Sequence, residues 1–263
     1  LNHPNIVNVH EVGRVAESVY IVSDFVDGET LTQWIAGRSN TWREASVLMS
    51  RICEGLHHAH ENGIVHRDLK PGNIMLYLMD FGLAKREAGE ITMTVEGQIL
   101  GTPAYMSPEQ ARGEGHQVDR RADIFSCGIT LFEMLTAEKP FRGKAQMVIQ
   151  QIIHDEAPSL RSLNANVPKD LETICLKALE KDPAGRYQTA AAMQSDLQAL
   201  LDGRPIVARP VSSVERVWRW CRRQPIVAGL LALLLVTFLT GTVVSTLFGI
   251  DANRQSTGLK KAK

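Results

Sequence analysis

Cysteine is scarce in this sequence, and its four residues, Cys53, Cys127, Cys175 and Cys221, stand far apart. That spacing excludes a metal knuckle and gives no sign of a disulfide framework; a reducing compartment suits it. Zinc-type histidine pairs are missing too: His57, His58 and His60 share one stretch, but no two of them are four residues apart. They read as residues on a helix face. Leu1 opens the sequence without an initiator Met or a targeting segment. Net charge is zero, and charged residues make up only 22% against 44% apolar ones. Such a composition excludes a disordered chain and allows one large domain or two small ones.

The zero conceals an uneven distribution. Residues 1–203 carry 19 Lys and Arg against 27 Asp and Glu, residues 204–223 carry six Arg against Glu215, and residues 251–263 carry four basic residues against Asp251. An acidic body with basic strips beside an apolar run points to a membrane surface and away from nucleic acid.

The most informative stretch is Val65-His66-Arg67-Asp68-Leu69-Lys70-Pro71-Gly72-Asn73, followed by Asp80-Phe81-Gly82. Pro71-Gly72 cannot continue a regular element, so Asp68 and Asn73 can face one cleft from a fixed loop. Phosphoryl transfer needs such groups: a carboxylate to orient a hydroxyl nucleophile, and further oxygens to hold Mg²⁺. His-Arg-Asp-Leu-x-x-x-Asn with Asp-Phe-Gly resembles the protein-kinase signature set, and Lys70 at its spacing resembles the serine/threonine version. The resemblance covers about residues 1–203 and is closest in look to bacterial membrane-anchored Ser/Thr kinases.

The resemblance implies an α+β, protein-kinase-like fold with a partial small β lobe and a mainly helical large lobe, followed by one transmembrane helix. It implies ATP and Mg²⁺ as cofactors and Ser/Thr hydroxyls of proteins as acceptors. Asp68 would orient the hydroxyl or accept its proton, Lys70 would steady the phosphate, and Asn73 and Asp80 would bind Mg²⁺. Main-chain groups of Asp24 and Val26, in the hinge Ser23-Asp24-Phe25-Val26, would meet adenine, with Ser23 as a small gatekeeper. Without the motifs, the same residues read as an edge strand running into a turn at Asp27-Gly28. No G-x-G-x-x-G and no V-A-I-K-like strand occurs in the chain. The start resembles the stretch just after the long helix of the small lobe, so the expectation is an N-terminally truncated kinase domain.

Residues 6–15 and 19–26 read as strands, and residues 31–36 and 43–61 as helices, the second stopped by Asn62-Gly63. The interval from Asn73 to Asp80 is shorter than the family usually shows. Either a compressed hairpin tilts Asp80, or the sequence has an internal gap; Tyr77 and Leu78 are poor turn formers.

From Asp80 to Glu109 the sequence is rich in Gly and Thr, as an activation segment should be. Gly101-Thr102-Pro103-Ala104-Tyr105-Met106-Ser107-Pro108-Glu109 resembles its anchor, with Ser107 where the family more often has Ala. Thr102 would hydrogen-bond near Asp68. Thr92 and Thr94 are either autophosphorylation sites, which Arg67 would read by pairing with the phosphate, or ordinary exposed threonines. By resemblance Asp123 braces the His-Arg-Asp loop from a buried helix over residues 119–135, and Arg186 forms a buried ion pair with Glu109. Residues 145–154, 169–180 and 189–201 complete the helical lobe.

Residues 204–225 read as a basic and aromatic linker. Residues 226–250 carry no charge, and at about 1.5 Å per residue they are long enough for a hydrocarbon core of about 30 Å. A transmembrane helix is the reading, against a buried core helix, and a basic tail of residues 251–263 follows. The excess of Arg before the span places the kinase domain in the cytoplasm, on a single-pass protein of the inner (plasma) membrane. Thr237, Gly241, Ser245 and Gly249 put small side chains on one helix face, a pattern that suits a homodimer. Two other readings stay open: a catalytically inactive pseudokinase or membrane scaffold, and a membrane receptor.

Overall fold

The computed structural model describes residues 1–15, 18–37, 41–77 and 103–208, with Cys221, Thr237, Phe238 and Thr240 besides. The chain divides into two compact units, Leu1–Pro210 and Val211–Lys263. The first holds all the elements named below.

It opens with β1 (Val9–Val15) and β2 (Ser18–Ser23), an antiparallel pair in which Val12 faces Ile21 and Arg14 faces Val19. The β-branched residues explain the extended backbone. Both strands are shorter than expected. Ile6 is drawn into a local turn by its N–H bond to the His3 carbonyl, and β2 ends at Ser23. Residues 24–27, which include Asp24 and Val26 of the expected hinge, lie between β2 and β3 (Gly28–Thr30) and belong to neither strand. Helix α1 (Leu31–Gly37) follows directly. At Gly28 a Cβ would sit 1.9 Å from the Leu76 carbonyl oxygen, so only glycine allows this strand to approach its partner.

Helix α2 (Trp42–Glu61) begins at a capping box: Thr41 accepts from the Glu44 N–H while the Glu44 side chain accepts from Thr41. It stops where Gly63 takes a positive φ of 76°. Ala45, Met49, Cys53, Leu56 and His60 form its buried stripe at helical spacing. After the catalytic-type loop, β4 (Met75–Tyr77) pairs antiparallel with β3, Thr30 opposite Met75. The arm after Asn73 is therefore a strand, and its partner is the hinge-side strand. The remainder of that interval, with Asp80, lies outside the described residues.

The helical part continues with α3 (Pro108–Ala111) and α4 (Arg120–Thr136), the latter capped by Asp119 and closed at Ala137, which has a positive φ of 56°. Helices α5 (Ala145–His154), α6 (Leu160–Leu163), α7 (Lys169–Ala178) and α8 (Ala190–Leu201) follow. Helix α4 is buried on nearly every side, which fits its weak amphipathicity and its place at the centre of the lobe. It packs against α2 and α7, and α2 packs along α8. Phe125, Phe132, Ile124, Met49, Leu171 and Met193 are fully enclosed in this core.

The first compact unit runs to Pro210. Asp196 on α8 gives the reason. Its buried carboxylate accepts from the Tyr187 hydroxyl at 2.9 Å and from the Val207 and Ala208 N–H groups at 2.7 and 2.9 Å. Residues just after the last helix are thereby held on the lobe. Among the described residues no helix is long and apolar enough to cross a membrane. The span expected at residues 226–250 lies outside them, apart from Thr237, Phe238 and Thr240.

Removing the Asp196 carboxylate strands three donors at once. Asp196→Ala is expected to cost about 3 kcal/mol, read as a lower urea midpoint with little change of slope. A midpoint equal to that of the unsubstituted chain would refute this account of the boundary.

Candidate active site

The site is built on the loop between α2 and β4, and a buried carboxylate holds that loop. Asp123, in the first turn of α4 and wholly enclosed, accepts the His66 N–H on Oδ2 and the Arg67 N–H on Oδ1, both at 2.8 Å. His60, on the buried face of α2, stands with Nε2 2.8 Å from Asp123 Oδ2. Two helices and the loop thus converge on one carboxylate. Arg67 takes a positive φ of 66°, a conformation that costs a non-glycine residue about 1–2 kcal/mol and persists where neighbouring contacts fix it. The buried Asp123 provides such a contact.

From this kink Asp68 and Asn73 come together. Asn73 Nδ2 donates to the Asp68 carbonyl at 2.8 Å and to its carboxylate at 3.0 Å, while Lys70 Nζ lies 2.9 and 3.2 Å from the two carboxylate oxygens. The one-turn helix Pro71–Asn73 makes this possible by folding the chain back within five residues. The Asp68 carboxyl is half exposed, so a substrate hydroxyl can reach it, and its orientation is set from two sides. With Nδ2 committed to Asp68, the free oxygen of the Asn73 amide is an appropriate ligand for a hard cation. Of the two residues expected to bind Mg²⁺, Asn73 alone is among the described residues. No group of three or more His, Cys, Asp or Glu side chains among the described residues is placed to hold a metal ion, and Asp80 lies outside them.

The hinge residues are placed as follows. The Asp24 N–H donates to the Asn8 carbonyl at 3.0 Å, so of its two main-chain groups the carbonyl is the one left to meet a base. Its side chain is bound by His10 at 2.6 Å and Asn8 at 2.9 Å, and the His10 bond first of all holds the Asp24 carboxyl below its ordinary range. Val26 is buried at the end of this stretch. Thr92, Thr94 and Thr102 lie outside the described residues. The Arg67 side chain is exposed, and among the described residues no carboxylate pairs with it.

Glu109 and Arg186 meet in a bidentate pair at 2.8 and 2.9 Å, both side chains almost fully enclosed. The remaining guanidinium N–H groups donate to the carbonyls of Glu180, Arg121 and Lys181, so all five donors are used. Phe125 lies under the guanidinium, 5.0 Å from its ring centre. Ser107 caps α3, forming with Gln110 the reciprocal pair that a Thr41–Glu44 spacing also forms at α2. The hydroxyl at this position thus has a local role. Gln110 is missing from the residues read as functional in the sequence, and His60 is read there only as a helix-face residue. For Gln110 the signal was present, since Ser-x-x-Gln is a helix-start pattern; for His60 the helix-face reading concealed a buried partner 63 residues away.

Burial alone would raise the Glu109 pKa, but the hydrogen bonds and charge of Arg186 outweigh it and the net direction is downward. A carboxylate with a depressed folded pKa contributes stability at pH values above its unfolded pKa, about 4.3, and loses it as pH falls through the folded value. Glu109→Gln is expected to cost about 3–5 kcal/mol at neutral pH, because it leaves the buried guanidinium charge without its counter-ion. The deficit should narrow on acidification below about pH 4.3; denaturant unfolding at pH 7 and pH 3 measures it, and a constant deficit would contradict the assignment.

Comparison with known proteins agrees with this geometry. The sequence profile described as "Protein kinase domain" matches residues 1–197. The serine/threonine-protein kinase PknB of Mycobacterium leprae (strain TN) is 39% identical over 218 residues, covering 78% of this chain and 35% of that protein. The serine/threonine-protein kinase PrkC of Bacillus subtilis (strain 168) is 40% identical over 210 residues, covering 77% of this chain and 32% of that one. The chain therefore spans about a third of the length of these curated relatives. Among solved structures, Rad53 1-466 in complex with AMP-PNP superposes with a TM-score of 0.59 at 28% identity, over 74% of this chain and 51% of that one. With its profile matched over most of its length and its small β part joined to a helical lobe, the chain belongs to the protein kinase domain family.

Proposed function

We propose that the protein transfers the γ-phosphate of ATP to Ser or Thr hydroxyls of other proteins and does so from a membrane. The observation that carries the transfer reading is the group formed by Asp68, Lys70 and Asn73 on a loop pinned by Asp123. Asp68 receives the acceptor hydroxyl, aligns it with the phosphorus and takes up its proton as the new ester bond forms and the bond from the γ-phosphorus to the bridging oxygen breaks, releasing ADP. Lys70, which bridges to Asp68, is within reach of the same reacting centre and supplies positive charge to the phosphoryl oxygens. Asn73, with Asp80, offers oxygen ligands to Mg²⁺, which when bound neutralises phosphate charge. The Asp24 carbonyl and Val26 supply the base-facing edge. The names of the bacterial relatives and the AMP-PNP bound to Rad53 support the same nucleotide chemistry.

The membrane part of the reading rests on the uncharged run of residues 226–250 and its basic flanks. It gives a single-pass protein of the inner (plasma) membrane with its kinase domain in the cytoplasm, where ATP is available. The small-residue face of Thr237, Gly241, Ser245 and Gly249 supports pairing of two such helices.

Asp68→Asn is expected to lower phosphate transfer to a generic basic protein by about 100-fold or more while leaving Mg²⁺-dependent ATP binding in place. Equal transfer by the two forms would remove Asp68 from the chemistry. Thr92 and Thr94 are proposed as the sites whose phosphates pair with the exposed Arg67 guanidinium. The double substitution Thr92→Ala, Thr94→Ala should reduce autophosphorylation and the activation that follows it, with membrane insertion unaltered. Phosphate incorporation that stays at the level of the unsubstituted protein would rule these threonines out as the switch.

A further inference from the structure

Gln110 sits on α3, next to the buried Glu109, and its side chain crosses to the loop that carries Asp68. Its Oε1 accepts the Ser107 N–H at 3.0 Å, and since that partner can only donate, the amide orientation is settled: Nε2 faces the Arg67 carbonyl at 2.8 Å. The Arg67 carbonyl belongs to the peptide unit whose other end is the Asp68 N–H, and that N–H lies 3.3 Å from His66 Nδ1. Asp123 fixes the peptide on the N-terminal side of Arg67, and Gln110 fixes the one on its C-terminal side. Arg67 lies between them at a positive φ, where a rotation of the following peptide plane would swing the Asp68 carboxyl out of line.

We propose that Gln110 is a positioning residue for Asp68: its amide holds the Arg67–Asp68 peptide plane and so couples the anchoring helix α3 to the catalytic loop. The inference rests on the phosphoryl-transfer reading of Asp68. It adds a second support, separate from Asp123, at the point where the loop kinks. The two functions of the Gln110 amide can be separated chemically. A glutamate at this position still accepts the Ser107 N–H, as the capping box requires, but has no hydrogen to give the Arg67 carbonyl. Conversely, Ser107→Ala removes the capping hydroxyl and leaves the Ser107 N–H and the Gln110 amide as they are.

The test compares the full chain in detergent micelles with its Gln110→Glu and Ser107→Ala variants. Arg67-Asp68 is the only Arg-Asp dipeptide in the sequence. Labelling Arg with ¹³C at the carbonyl and Asp with ¹⁵N therefore yields a single NMR correlation that reports this one peptide. Gln110→Glu is expected to displace that signal, to keep the unfolding midpoint and the KM for ATP, and to lower kcat by up to about 100-fold. Ser107→Ala is expected to lower the midpoint while leaving the signal and kcat near those of the unsubstituted chain. A signal that does not move in Gln110→Glu, or one that moves with kcat unchanged, overturns the proposal. If the unsubstituted chain transfers no phosphate, the enzymatic reading of this chain fails, and with it the positioning role in catalysis, whereas the NMR signal still decides whether Gln110 holds the peptide.

Discussion

A single enclosed carboxylate organises this molecule. Asp123 takes hydrogen bonds from two consecutive backbone N–H groups and lies against His60 of a second helix, all at 2.8 Å. A carboxyl group has no place in such a core without these partners, and the loop has no reason to adopt its kink without the carboxyl group. Each requirement satisfies the other. The candidate site is then built outward from a rigid point: the left-handed Arg67, the Asp68 carboxyl beside it, and the Lys70 and Asn73 side chains that converge on Asp68.

The second anchor works by a different balance. The Glu109–Arg186 pair is costly to desolvate, and its stability comes from saturation: two charge-assisted bonds to the carboxylate and three more to carbonyls leave no guanidinium hydrogen unused. It ties α3 to the segment between α7 and α8, elements far apart in the chain. Gln110 extends from the same helix to the catalytic loop, so the two anchors are joined through one side chain.

Much of this could be read from the chain. The helices expected over residues 43–61 and 119–135 lie at 42–61 and 120–136; apolar spacing marks both, and Asn62-Gly63 marks the end of the first. Asp68 and Asn73 could be paired because Pro71-Gly72 forces a turn between them, and the turn is there; Lys70 came from the family resemblance. Strand ends were less legible. Ile6 has the residue type of a strand, but a local turn to His3 takes its N–H, and such competition between nearby backbone groups leaves no periodic trace. The docking of Val207 and Ala208 on Asp196 was hidden for a related reason: the bonds come from backbone N–H groups, which every residue except proline has. Composition marks residue 204 as the start of a linker and carries no trace of those bonds.

The Asp196 clasp also has a mechanical side. Tension along the chain at Val207 and Ala208 is borne by two short bonds to one carboxylate. That carboxylate also holds Tyr187, which follows directly after Arg186. The load path therefore leads from Val207 and Ala208 to α8 and to the neighbour of the guanidinium that grips α3, so a pull at these two residues is felt beside the buried Glu109–Arg186 pair.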